Sequence, residues 1–190
     1  MACVQYVALL RGIGPGNPNM RNEKLRGVLE GLGFANVASV ISTGNLVFEA
    51  DANADPAELE AEIQAAWPKR LGFESTTIVR SRPELQRLIA GNPFGETEDA
   101  PTSRLHVSFL KRAPQVELEL PYRDPKGGYE IVTIEDRAIC SVIDTTGQNR
   151  TPEAMRWLER TFGKEITMRT WRTVHRIAAK MGAQADAPAR

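Results

Sequence analysis

Tyr6-Val7-Ala8-Leu9-Leu10-Arg11-Gly12-Ile13-Gly14 decides how the chain is read, and Thr43-Gly44-Asn45 answers it one helix later. The run from Val4 to Leu10 is almost continuously apolar, which marks a strand buried on both faces or at least central in its sheet. Gly12, Gly14, Pro15, Gly16 and Pro18 then forbid regular structure. Asn22 is positioned to cap a helix over Glu23 to Leu32, with Leu25, Val28, Leu29 and Leu32 on one face. Gly27 and Gly31 each cost that helix roughly 1 kcal/mol against alanine, so packing must hold it. Gly33 before Phe34 reads as a left-handed stop. Val37 to Ser42 and Leu46 to Glu49 are expected strands joined by the Thr43-Gly44-Asn45 turn. Asp55-Pro56-Ala57-Glu58 opens a second helix that carries Leu59, Ile63 and Trp67 up to Pro68. Thr76 to Val79 is the next strand, and the order so far is β-α-β-β-α-β.

The order then starts again. A helix over Pro83 to Ala90 leads into Asn92-Pro93-Phe94-Gly95 and the acidic Glu96, Glu98 and Asp99, which carry no period. Leu105 to Leu110 is a strand, followed by a short helix at Pro114 to Leu118. Glu130 to Ile134 and Ala138 to Ile143 form a hairpin around Glu135-Asp136. A helix opens at Thr151-Pro152-Glu153 and runs to Phe162, then come a strand at Glu165 to Met168 and a last helix from Thr170 to Met181. The expected fold is α+β: two tandem ferredoxin-like (βαββαβ) units with a C-terminal helix. Its parts are a first unit at 1–81, a helix and linker at 82–103, a second unit at 104–169, and a helix and tail at 170–190. A single mixed sheet with helices packed on it is the alternative.

Composition is that of a globular protein: 190 residues, 42% hydrophobic and 25% charged, enough for a sizeable core. The 24 basic and 24 acidic residues cancel, which argues against a dedicated nucleic-acid coat protein. Cys3 and Cys140 are far apart and form no C-x-x-C, which suits a reducing cytoplasm. The first residues do not read as a signal peptide, and no run approaches the length of a membrane helix. No metal-ligand spacing and no cofactor fingerprint is present. His106 falls in a strand, His175 in the last helix, and Cys140 reads as a small buried hydrophobe.

Three motifs, in order, resemble the bacterial family called domain of unknown function 1697. They are Arg11-Gly12-Ile13-Gly14-Pro15-Gly16-Asn17, Thr43-Gly44-Asn45-Leu46-Val47-Phe48 and Thr167-Met168-Arg169-Thr170-Trp171-Arg172-Thr173-Val174. Gly14 stands where the family usually has asparagine, Asn17 where it has glycine, Thr43 for serine and Thr170 for asparagine. A family lysine after the second hairpin is absent, with Gln148-Asn149-Arg150 in that region. The resemblance implies paired ferredoxin-like units and supplies no activity.

Arg11 follows a buried strand, and Gly12, Gly14 and Gly16 expose backbone N–H groups beside it. Such a loop can form an anion-binding nest with an arginine fork. The competing reading pairs Arg11 within the protein and makes it a loop fastener. Thr43 and Asn45 flank a turn glycine; with Arg11 and Asn17 they complete the candidate ligand set, although plain turn chemistry also explains them. If strands one and three ran parallel, the turn would lie at the sheet edge opposite Arg11. Arg169, Arg172, Arg176 and Lys180 follow a three-to-four residue spacing on the last helix, a candidate surface for nucleic acid or an acidic partner. Tyr6 and Phe48 would have to be exposed for an RNA-reading sheet. The favoured function is binding of an anionic small molecule or partner at the Arg11 loop. An enzyme acting on a phosphorylated metabolite is the alternative, and nucleic acid is the least favoured partner. Nothing in the sequence specifies an oligomeric state.

Overall fold

The computed structural model describes residues 3–14, 16–41, 44–147 and 150–185. The protein is α+β, with two antiparallel sheets, and divides into two compact units, 1–86 with 175–190, and 87–174.

In the first unit, β1 (Cys3–Leu10) leads through a short 3-10 turn (Pro18–Met20) into α1 (Asn22–Glu30). Then come β2 (Ala35–Ser39), β3 (Asn45–Asp51), α2 (Pro56–Leu71), β4 (Thr77–Ser81) and α3 (Arg82–Ala90), the last of which runs past the unit boundary. The sheet order is β2-β3-β1-β4. Every pairing is antiparallel, with Tyr6 opposite Phe48 and Leu9 opposite Asn45. Alternation along each strand assigns the faces. Tyr6, Ala8, Leu10, Leu46, Phe48 and Val79 meet Leu25, Val28 and Leu29 of α1 and Leu59, Ile63, Ala66 and Trp67 of α2. Val7, Leu9, Val47 and Ile78, on the other face, are fully buried as well. This is why Val4 to Leu10 lacks polar alternation.

Tyr6 and Phe48 are 3% and 1% exposed and stack at 5.8 Å within this core. They are therefore not an RNA platform; the helices cover the face they occupy.

Local chemistry explains the helix ends. Asp55 accepts from Ala57 N at 2.9 Å, and Pro56 occupies the first helical turn. The helix passes Pro68 and stops at Gly72, whose φ of +74° a β-carbon would resist. Asn22 is not a cap but the first residue of α1; Arg21 precedes it with no side-chain cap.

β4 is an edge strand, and α2 closes its open side. Thr77 N donates to Gln64 Oε1 at 3.1 Å and Val79 N donates to Glu60 Oε1 at 2.9 Å. Trp67 Nε1 donates to Thr77 Oγ1 at 2.9 Å. Glu60 also faces Arg80 at 3.8 Å in a buried ion pair. Side chains thus substitute for a further strand, which protects the edge from pairing with another chain.

The second unit comprises β5 (Ser103–Leu110), β6 (Tyr122–Arg123), β7 (Tyr129–Glu135), β8 (Ala138–Asp144), α4 (Arg150–Phe162) and β9 (Ile166–Thr170). Helix α5 (Trp171–Ala185) starts in it and ends in the first unit. The sheet order is β6-β7-β8-β5-β9. Leu110, Ile131, Ile139, Ile143 and Ile166 pack with Ala154 and Leu158 of α4. Trp157 stacks on Tyr122 at 4.7 Å. The helix expected at Pro114 to Leu118 is absent: 111–121 contains no helix or strand. Val116, Leu118 and Leu120 alternate with Glu117 and Glu119, a period of two that suits extended chain.

Candidate functional site

The first unit gathers three backbone segments at one end of its sheet. The β1-α1-β2 crossover makes β1 and β2 run the same way, and the following hairpin reverses β3, which lies between them. The end of β1 therefore sits beside the start of β3. The first and third strands are antiparallel, so the condition that would have parted them does not hold: the Gly44 turn and the Arg11 loop share one end. Leu10 N donates to Gly44 O at 2.9 Å. Gly44 has φ +70°, and a β-carbon there would stand 2.7 Å from Ile13 Cγ1 and 3.0 Å from Leu10 Cβ. Glycine is required by packing as well as by conformation.

A third segment joins them. Asn22, at the start of α1, donates from Nδ2 to Ile41 O at 2.9 Å. Ile41 has φ +53°, an unfavourable conformation for a β-branched residue, and is 39% exposed. Strain of this kind collects at functional corners. The Arg11 backbone is fixed on its other side: Arg11 N donates to Thr76 O at 3.0 Å, and Ser75 Oγ donates to Arg11 O at 2.8 Å. Half-buried Arg11 is thus carried on a backbone held by residues 75–76, just before β4.

The glycines divide by role. Gly12 has φ +74°, whereas a β-carbon at Gly12, Gly14 or Gly16 would meet nothing within 4 Å. The space beside these three glycines is open on the side a β-carbon would take. Asn17 serves the loop: its Oδ1 accepts from Asn19 N at 2.9 Å and caps the 3-10 turn. Asn45 is fully buried, and its Nδ2 donates to Val40 O at 3.0 Å while Val40 N donates back to Asn45 O at 2.9 Å. These two amides hold the β2-β3 corner. Thr43 lies outside the described residues. Arg11, Gly12, Gly14 and Gly16 remain as the part of the expected ligand set that faces open space or carries charge. Asn22, Ile41 and Ser75 were not foreseen; only the asparagine before an amphipathic run gave a signal, and it suggested a cap.

The expected basic stripe divides too. Arg169 belongs to β9, not to the last helix. Its Nη1 donates to Thr167 Oγ1 and Met168 O, both at 2.8 Å, and burial pushes the guanidinium down to about 10. Arg172, Arg176 and Lys180 are exposed at four-residue spacing along α5.

The second unit has an open cavity of about 570 Å³ lined by Arg123, Asp124, Glu130 and Asp144, among others. Arg123 pairs with Glu130 at 3.1 Å, and Asp124 and Asp144 accept from neighbouring backbone N–H groups. Three carboxylates against one guanidinium suit an anion poorly. Among the described residues no group of three His, Cys, Asp or Glu could hold a metal ion, and no helix is long and apolar enough to cross a membrane.

A family model described as "Protein of unknown function (DUF1697)" matches residues 4–139, more than half of the chain. No curated protein matches significantly. Among solved structures, the conserved bacterial protein SP0830 from Streptococcus pneumoniae is similar, with a TM-score of 0.73 and 19% identity. The match covers 95% of this chain and 99% of that one. At this identity the likeness concerns the fold.

Proposed function

We propose, for a chain that belongs to the DUF1697 family of proteins of unknown function, that the first unit binds an anionic small molecule at the Arg11 loop. One observation carries this: the Gly44 turn packs on Ile13, so the loop is braced with the Gly12, Gly14 and Gly16 positions open. A braced loop spends little entropy on ordering when a ligand arrives. An arginine fork with backbone N–H donors suits a phosphoryl or carboxylate group. An enzyme acting on a phosphorylated metabolite would use the same anchor.

The tandem ferredoxin-like reading belongs to this proposal. The β2-β3-β1-β4 order, with helices after β1 and β3, supports it in the first unit. In the second, β7-β8-β5-β9 repeats that order, and the extended segment 111–121 replaces the first helix. Residence in a bacterial cytoplasm is part of the same reading, supported by two unbridged cysteines. A nucleic-acid surface on α5 is the second reading, favoured by its exposed Arg172, Arg176 and Lys180; it requires binding that weakens with salt.

The test is a thermal-shift screen of phosphorylated and carboxylated metabolites against the native chain and Arg11→Ala. A stabilising ligand whose effect is lost in Arg11→Ala supports the proposal. A ligand that stabilises both equally, or a screen with no stabilising ligand, defeats it.

A further inference from the structure

The second unit buries a row of polar side chains that the proposed function does not use. Register places Ser141 opposite His106 on β5, and Thr170 opposite His106 on the other side. Directly opposed residues point to one face, with β-carbons about 4.5–5.5 Å apart. Ser108, two residues from His106, shares that face. So do Leu110, Ile139 and Ile143 of the core. The row begins at half-buried Thr170 on the edge strand β9 and runs inward to His106 at 7% and Ser141 at 1% exposure. Thr170 Oγ1 is engaged with Thr173 Oγ1 at 2.9 Å.

The inner hydroxyls are not engaged. Ser108 Oγ and Ser141 Oγ are buried without a hydrogen-bond partner. Native interiors rarely leave such groups unsatisfied, and the usual remedy is a small bound molecule. His106 defines which kind. Its Nδ1 lies 3.2 Å from Arg104 O. A carbonyl only accepts, so Nδ1 carries the hydrogen and Nε2 of the neutral ring presents a lone pair. Burial favours that neutral ring; the Arg104 carbonyl and Asp99 oppose the shift, and the Arg104 charge adds to it. The complement is one O–H group that donates to Nε2 and exchanges hydrogen bonds with the serines.

We propose that the Ser141–His106–Thr170 row, with Ser108, is an internal binding site for one hydroxyl-bearing molecule, with His106 Nε2 as its acceptor. Water fills it in the resting protein. The hydroxyl of a small alcohol or polyol has the same chemistry and enters from the β9 edge.

The test uses the full chain labelled with 15N. Ring spectra of His106 are expected to show the Nδ1–H tautomer, with a long-lived water cross-peak to the His106 ring. Ser141→Ala and Ser108→Ala should each lose that cross-peak and lower the urea midpoint, because the bound molecule loses a partner. An unchanged or raised midpoint with no water cross-peak in the native chain would overturn the site, since an orphaned hydroxyl gains from removal. Titration with ethylene glycol separates the occupants. Saturable movement of the His106 ring signals, abolished in Ser141→Ala, identifies a polyol site. A persistent water cross-peak without such movement supports water as the occupant.

Discussion

Gly44→Ala should damage the protein far more than Gly12→Ala, although both glycines have nearly the same backbone conformation. Their φ angles are +70° and +74°. A left-handed conformation costs an alanine roughly 1–2 kcal/mol, so both variants carry that penalty. At Gly12 nothing lies within 4 Å of the new β-carbon, and the cost stops there. At Gly44 the β-carbon would lie 2.7 Å from Ile13 Cγ1, 3.0 Å from Leu10 Cβ and 3.1 Å from Ile13 Cβ. Leu10 is 1% exposed and lies in the core, so it has nowhere to retreat. Overpacking of this kind adds about 1–3 kcal/mol. The total for Gly44→Ala is about 2–5 kcal/mol, against about 1–2 kcal/mol for Gly12→Ala. With a urea slope on the order of 2 kcal/mol per M, the Gly44 variant should lose about 1–2.5 M in midpoint. Equilibrium unfolding followed by tryptophan fluorescence, with Trp157 and Trp171 replaced by Phe so that buried Trp67 reports alone, measures both. Equal midpoints for the two variants would refute the packing of turn on loop, and with it the braced site.

Three further outcomes follow from other parts of the fold. Gln64→Ala removes the acceptor of Thr77 N, so it should cost about 1–3 kcal/mol and speed hydrogen exchange at Thr77; unchanged exchange would show that α2 does not guard the β4 edge. Burial lowers the His106 pKa in the folded state, so between that value and about 6.5 the unfolded chain binds the extra proton and stability falls as pH falls. Denaturation of the native chain and His106→Gln from pH 8 to pH 5 should show the native chain losing more, by roughly 1.4 kcal/mol per unit of lowering; parallel curves would contradict this. Burial, with Glu135 adding, pushes the Cys140 thiol up to about 12, so a thiol reagent at pH 8 should modify exposed Cys3 and spare Cys140 until urea unfolds the protein.

Much of the first unit could be read directly from the residues. Asp55-Pro56 fixes the start of α2, Gly33 marks a stop, and the apolar run before Arg11 marks a central strand; α2 runs past Pro68, where the sequence suggested its end, to Gly72. Strand direction was harder, because a single apolar run has no sense of its neighbour. The approach of Gly44 to Ile13 depends wholly on that direction. Glu60 was equally hidden. A glutamate beside Leu59 looks like a solvated helix face, yet it is 1% exposed and serves the backbone of β4. In the second unit, Pro114 suggested a helix start, while the alternation of Val116, Leu118 and Leu120 with glutamates already spelled extended chain. At the candidate site, the motif residues were visible, but their division of labour was not. Asn17 caps the 3-10 turn of its own loop, whereas buried Asn45 holds the β2-β3 corner, and the motif alone does not distinguish the two.

The central claim is that the Arg11 loop binds an anion through its guanidinium and the amides around it. Amide spectra of the 15N-labelled chain, titrated with inorganic phosphate and then with a small sugar phosphate at constant ionic strength, test it directly. Saturable shifts confined to Gly12, Gly14, Gly16 and the Gly44 turn, and absent in Arg11→Ala, are the predicted result. Shifts that leave these glycines unmoved, or that persist unchanged in Arg11→Ala, would contradict it.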